Sequence, residues 1–277
     1  LLLPEAEGGI GLGDLELAAI AEELGRALVP EPLLAAIAVV PALPQAWREP
    51  VLAGEKIVLP VWPANGAGGT ARRVPMGQGA DAFLAETDDG LALHRADPAG
   101  MTRDATQDGG HFASFALGAP EEVVAGRTLR RAYERATLAS AAYLLGTCET
   151  AFALALEHLK VRTQFGQVIG NFQALQHRAV DLRVALSLSR AVLDEAAAQL
   201  DADAAELPSD ATLMAISRAK ARMGETAMLV AREATQFHGA IGITDEHDVS
   251  LCTRKILTLN NQYGTAGAHR RRYLGLL

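Results

Sequence analysis

The chain is poor in the residues that mark the simplest functional classes. It has 2 cysteines in 277 residues. Cys148 and Cys252 stand apart, with no ligand-type partners at metal spacing, so neither a disulfide framework nor a zinc site follows, and no metal site is expected. A reducing, cytoplasmic home is the default for such a chain. Positive charge is scarce: 25 Lys+Arg against 33 Asp+Glu give a net charge of -8. There is no basic stripe, and Arg270-Arg271-Arg272 is too short to make one, so no nucleic-acid partner is expected. No apolar run reaches the roughly 20 residues needed to cross a membrane, so no membrane span is expected. No signal peptide is expected.

What is present is aliphatic. Hydrophobic residues make up 49% and aromatics 5%, an Ala/Leu-rich profile that favours helix. The length allows a large core and two or three lobes. The opening Leu1-Leu2-Leu3-Pro4, without an initiator Met, reads like the interior of a helical domain. Further residues are therefore expected before Leu1.

Three regions follow from the patterning. Residues 1–53 read as a partial N-terminal helical domain. Leu15, Ala18, Ala19, Glu22 and Leu24 recur at three- and four-residue spacing, with Gly25 near the end. A second helical segment from residue 33 is broken by Pro41 and Pro44. Glycines 8, 9, 11 and 13 invite comparison with a phosphate cradle, but a dinucleotide fold needs a strand before them, so a structural loop is expected. Residues 54–120 read as a small β domain, with strands at 57–61, 82–86, 91–94 and 111–117 and a hairpin turn at Asp88-Asp89-Gly90. Residues 121–277 read as a helical bundle, with helices over 127–160, 171–200, 211–237 and 246–260, the third capped by Ser209 or Asp210. The expected fold is mainly α with a small β domain.

Three connections in the bundle carry the chemistry. Arg162-Thr163-Gln164-Phe165-Gly166 through Gln173 ends one helix and starts the next. It is either a capped helix–helix turn or an anion site, in which a guanidinium stands beside loop amides. Gln236-Phe237-His238-Gly239 through Thr244 has ordinary helix-stop glycines, with His238 expected as a satisfied polar contact. Tyr263-Gly264-Thr265 through Arg270 is the third.

In this order the three blocks resemble the signatures R-x-x-F-G-x-x-I-x-x-F-Q, Q-x-x-G-G-x-G-[FY]-T and E-G-T-x-x-[IV]-[QM]-R of the acyl-CoA dehydrogenase family. Residues 4–26 also resemble the family's P-E-x-x-G-G-x-G-L-G…A-E-E-L-G-R segment. The resemblance implies an N-terminal helical segment, a middle β lobe and a C-terminal four-helix bundle. It implies FAD as cofactor and an acyl-CoA substrate that loses hydrogen from its α and β carbons. It also implies an electron-transfer flavoprotein as acceptor. Arg162, Phe165, Gln173, Gln236, Gly239 and Thr265 are the cofactor-binding residues that it implies.

Two departures accompany the resemblance. The family's T-E-x-G-x-G-S-D loop over the flavin is replaced by the stretch from Val61 to Thr70. A trimmed lobe, residues missing within the chain and weak flavin binding are the alternatives, and Trp62 there is expected to pack. The family's glutamate base is replaced by Tyr263, whose phenol has an unperturbed pKa near ~10. The other base slot known in the family, on the first bundle helix, falls on Ala136. Glu134 lies two positions earlier, roughly 200° around the helix. Tyr263 and Glu134 are thus the catalytic candidates. Three functions remain open: a self-sufficient homo-oligomeric dehydrogenase, a base-less subunit in a hetero-oligomer with a sister acyl-CoA dehydrogenase chain, and a helical scaffold without cofactor.

Overall fold

Two kinds of patterning build the chain. Short apolar runs between Val58 and Ala125 make strands, and three- and four-residue spacing from Arg130 onward makes long helices. The computed structural model describes residues 1–30, 32–62, 66, 67 and 69–277. It divides into two units: Leu1–Leu17 with Pro30–Ala136 and Ala204–Pro208, and Ala18–Val29 with Thr137–Asp203 and Ser209–Leu277.

The first unit holds the start of α1 (Asp14–Arg26), then α2 (Leu33–Val39) and α3 (Gln45–Leu52). Its strands are β1 (Val58–Val61), β2 (Gly66–Ala67), β3 (Thr70–Pro75), β4 (Ala82–Thr87), β5 (Gly90–Arg95), β6 (Thr102–Ala105), β7 (His111–Ala116) and β8 (Glu122–Ala125). They form two four-stranded sheets, ordered β1-β4-β5-β8 and β2-β3-β7-β6. All pairs are antiparallel except β1 with β4. Thr87 pairs with Gly90, so Asp88-Asp89 is a two-residue hairpin loop. Leu59, Val61 and Phe83 from one sheet meet Ala71, Val74 and Phe115 from the other in a single core. The rings of Phe83 and Phe115 lie 4.2 Å apart between centroids.

The sequence reading finds β1, β4, β5 and β7 and misses the others for physical reasons. β6 is exposed throughout and β8 almost so, which leaves no apolar alternation to see. β3 carries a register shift between Ala71 and Val74, and Arg73 has φ 54, so its period of two is broken. Trp62 is buried and meets Tyr133 edge-on at 5.4 Å. Part of the stretch after it, residues 63–65 and 68, lies outside the described residues.

The second unit holds the rest of α1 and most of α4 (Arg130–Val161), with α5 (Gln173–Ala202), α6 (Asp210–His238), α7 (Val249–Leu259) and α8 (Ala266–Gly275). α4 is not buried along one face alone. Every residue from Ala136 to Cys148 is buried, whereas Ala153 and Lys160 are exposed. α4 is long and apolar enough to cross a membrane, but 78% of its apolar window is buried inside the protein. Its hydrophobicity is spent on neighbouring helices.

Glycine brings α1 against α4. A Cβ at Gly146 would lie 1.9 Å from the Glu22 carbonyl oxygen, and one at Gly25 would lie 2.0 Å from that of Tyr143. At this separation hydroxyls of α4 reach carbonyls at and just beyond the end of α1. Thr147 Oγ1 donates to Gly25 O at 3.1 Å, Thr150 Oγ1 to Arg26 O at 3.1 Å, and Tyr143 Oη to Val29 O at 2.8 Å. Glu22 accepts two bonds from Arg190, at 2.7 and 2.6 Å. Burial pushes its pKa up, but the hydrogen bonds and charge of Arg190, helped by Arg26, outweigh burial and hold it below the usual carboxylate value.

Ser189, the polar interruption of α5, is fully buried, bonding Ala185 O at 2.9 Å and Thr226 Oγ1 at 2.8 Å. Ser209 caps α6 through a hydrogen bond from the Thr212 amide.

Candidate functional site

The connection after α4 is more structured than a capped turn. Thr163–Gln164 (β9) and Gln167–Val168 (β10) pair as a hairpin whose two-residue loop is Phe165-Gly166. Both loop residues have positive φ, 54 and 78, the geometry that suits a tight hairpin to the strand twist. Phe165 is therefore held at the tip, 89% exposed. The hairpin is tied to the helix end: the Arg162 amide donates to His158 O at 3.0 Å, and the Ile169 amide donates to Arg162 O at 2.8 Å. The Arg162 side chain is exposed. It enters no ion pair among the described residues. Gly170 allows the return, because a Cβ there would lie 2.7 Å from Leu159 O. Gln173 is exposed at the first position of α5.

The end of α6 carries a cavity of about 560 Å³. Gln236 and Gly239 line it together with Arg232, Thr235 and Thr253. Gly239 has φ 67, and a Cβ there would meet nothing within 4 Å. Among apolar neighbours such as Met228, Ile243 and Leu257, the wall therefore combines an arginine paired with Glu233 at 3.1 Å, an amide, two hydroxyls 3.2 Å apart and an open backbone turn. This set suits a ligand with phosphate and hydrogen-bonding edges.

Between these two segments stands a group of imidazoles that the sequence reading did not assemble. The His238 ring lies 4.5 Å from that of His158 and 4.3 Å from that of His247. His238 Nδ1 donates to Ala234 O at 2.7 Å, as expected for a satisfied contact, but its Nε2 is buried without a partner. Burial pushes the pKa of both His158 and His238 down; the neighbouring rings, and Arg162 in the case of His158, add to this. The stack joins the Arg162 end of α4 to the Gln236 end of α6. Only contact across three helix ends creates it, so no local sequence signal announces it.

Tyr263 and Thr265 occupy the connection between α7 and α8. Tyr263 has φ 59 and Gly264 φ 101. Thr265 is the N-cap of α8, its hydroxyl accepting from the Ala268 amide at 3.2 Å. Beneath this turn lie Lys220 and His269, both buried and both unremarked in the sequence reading. Lys220 had a detectable signal, since it sits four residues after Ile216 and three before Met223 on the apolar face of α6. Glu134 is fully enclosed in the first unit, with Arg130 Nε at 3.4 Å. That is the setting of a structural ion pair.

Residues 127–273 match the family model for the acyl-CoA dehydrogenase C-terminal domain. The chain is 34% identical over 258 residues to the acyl-CoA dehydrogenase IpdE2 of Mycolicibacterium smegmatis, covering 91% of this chain and 75% of the relative. In structure it is similar to a variant of the Tcur3481-Tcur3483 steroid ACAD, with TM-score 0.88 and 26% identity over 99% of this chain and 83% of the other. It is also similar to the ChsE4-ChsE5 complex of Mycobacterium tuberculosis, with TM-score 0.81 and 28% identity over 98% of this chain and 82% of the other. Helical bundle and β region thus agree with relatives matched over nearly the whole chain: the protein belongs to the acyl-CoA dehydrogenase family.

Proposed function

We propose that the chain takes part in FAD-dependent α,β-dehydrogenation of an acyl-CoA thioester, with Arg162, Phe165, Gln173, Gln236, Gly239 and Thr265 on the cofactor side. The observation that carries this is the free Arg162 guanidinium beside a rigid hairpin tip, close in sequence order and chemistry to the family's flavin-facing block. The residues fit the cofactor. Arg162 offers a cation that enters no ion pair among the described residues, and the Gln236–Gly239 wall offers an amide and an open turn beside Arg232, whose charge is shared with Glu233. When bound, the flavin supplies the hydride acceptor. Arg162 contributes charge for an anionic group, Phe165 an apolar face, and the Gln236 amide and Gly239 turn hydrogen bonds to the cofactor's far end.

The proton side is where this chain departs. Removing the α-proton needs a base within hydrogen-bond reach. A phenol near its ordinary pKa of about 10 is a weak base at neutral pH. Tyr263 can orient a thioester through its hydroxyl, but a carboxylate must come from elsewhere. This favours the second reading: the chain is the base-less subunit of a hetero-oligomer, lending its flavin-side residues to a cofactor shared with a sister acyl-CoA dehydrogenase chain. The two-component steroid ACAD and ChsE4-ChsE5 relatives support that assembly. An electron-transfer flavoprotein as acceptor and a cytoplasmic home complete the reading.

Bound flavin per chain, from visible absorbance, tests both forms. Arg162→Ala is expected to lower flavin occupancy about tenfold, the loss of one charge-assisted contact; unchanged flavin content removes that role. Flavin bound by the chain alone and bleached by an acyl-CoA supports self-sufficiency. Flavin acquired only on co-expression with a sister subunit supports the heteromer.

A further inference from the structure

The turn from Asn260 to Thr265 is unusual in how it is supported. Tyr263 adopts a left-handed backbone that a non-glycine residue rarely takes, and Gly264 follows with φ 101. Such a pair persists only where its surroundings over-determine it. Among these surroundings are two buried side chains. His269 is 3% exposed, and its Nε2 lies 2.7 Å from Tyr263 O. A carbonyl only accepts, so Nε2 carries the proton, and burial, which pushes the ring's pKa down to about 4, keeps His269 as one neutral tautomer. The ring lies so close under the turn that a Cβ at Gly264 would fall 2.9 Å from Nε2.

Lys220 fastens the other end. It is 1% exposed and donates to Asn260 O at 3.3 Å. That carbonyl belongs to the C-cap of α7, where a helix dipole favours a cation. The buried acceptors Asn260 Oδ1 and His269 Nδ1 have no hydrogen-bond partner. Buried polar groups thus accompany the turn at both ends, which apolar packing alone would not need.

We propose that His269, backed by Lys220, is a positioning residue that fixes the backbone at Tyr263. This rests on the reading above in which position 263 faces the acyl thioester. His269 touches neither substrate nor cofactor. It sets where the side chain at 263 begins, so whatever group stands there is presented from a rigid base.

A reporter thiol tests this in the full chain, in the assembly it forms. Tyr263→Cys places one accessible sulfur on the turn, while Cys148 and Cys252 are buried and silent. Adding His269→Met, which keeps the bulk and removes the donor, is expected to change the rate of labelling by Ellman's reagent about tenfold, the scale of one lost hydrogen bond. His269→Gln, which restores an N–H, is expected to return it. A control thiol at Ser187→Cys stays unchanged in both backgrounds. An unchanged rate at position 263 in His269→Met, or failure of His269→Gln to rescue it, overturns the proposal. If His269→Met does not fold, amide exchange of the unmodified chain decides: protection over 261–266 equal to that of the exposed 163–168 hairpin overturns it, and stronger protection supports it. The reading of the site fails separately. Protection of the new thiol by none of butanoyl-, octanoyl- and cholanoyl-CoA removes position 263 from the acyl site, whatever His269 does.

Discussion

Phe165-Gly166 and Tyr263-Gly264 are the same local device used in two ways. Each is an aromatic residue at positive φ followed by a glycine at positive φ, and each interrupts two helices. The first is supported by its own strand pairs and stands in solvent, with the aromatic ring projecting from the tip. The second is supported from below by Lys220 and His269. A hairpin that carries its own hydrogen bonds can reach away from the protein toward a ligand. A turn that is also propped from below is held by the core, which makes it stiff and intolerant.

Substitution at the two glycines should break that parallel most sharply. Gly264→Val combines φ strain with a Cβ only 2.9 Å from the His269 ring. It is expected to cost about 3 kcal/mol or more in chemical denaturation. Gly166→Ala, where a Cβ meets nothing within 4 Å, is expected to cost about 1 kcal/mol, the φ strain alone. Equal losses would mean that the buried clamp adds nothing.

Between these extremes lies a pH effect confined to the supported turn. Burial pushes Lys220 down to about 8, below its unfolded value near ~10.4. From pH 8 to about 10 the unfolded chain binds more protons than the folded one, so this lysine makes stability rise with pH. Lys220→Met should remove that rise, worth about 2 kcal/mol across the window, in urea midpoints measured at each pH. No difference in slope would show the amine to be solvated. The titrating groups beside the exposed hairpin, His158 and His238, are pushed below the ordinary histidine value and so lie outside this window, and Arg162→Ala should leave the slope as it was.

Much of this was legible in the chain, and the illegible parts share a cause. Long bundle helices declared themselves within a few residues of their observed ends, because Leu182, Leu186 and Leu193 keep a helical period along one buried face. α8 did not, since His269 is its one buried residue among the arginines and glycines. The Phe165-Gly166 hairpin was hidden because its strands are two residues each, too short for alternation. At the site, motif order located the three connections, but the histidine stack and the Lys220–His269 pair arise from residues far apart in sequence. Periodicity could mark Lys220 as misplaced on an apolar face. It could not say which carbonyl the amine would find.

The α1–α4 crossing bears on the order in which the molecule assembles. The hydroxyls of Thr147, Thr150 and Tyr143 close the end of a helix made more than a hundred residues earlier. The helical unit therefore cannot finish until residues 137 onward have emerged, and residues 18–29 must wait for them with their terminal carbonyls solvated. The sheets, whose strands lie between residues 58 and 125, have all their pairing partners first. Loop-closure entropy grows only slowly with length, so the delay weighs on folding rate rather than final stability. The strand-rich segment should be the earlier to gain protection during synthesis, and the bundle the part most exposed to arrest.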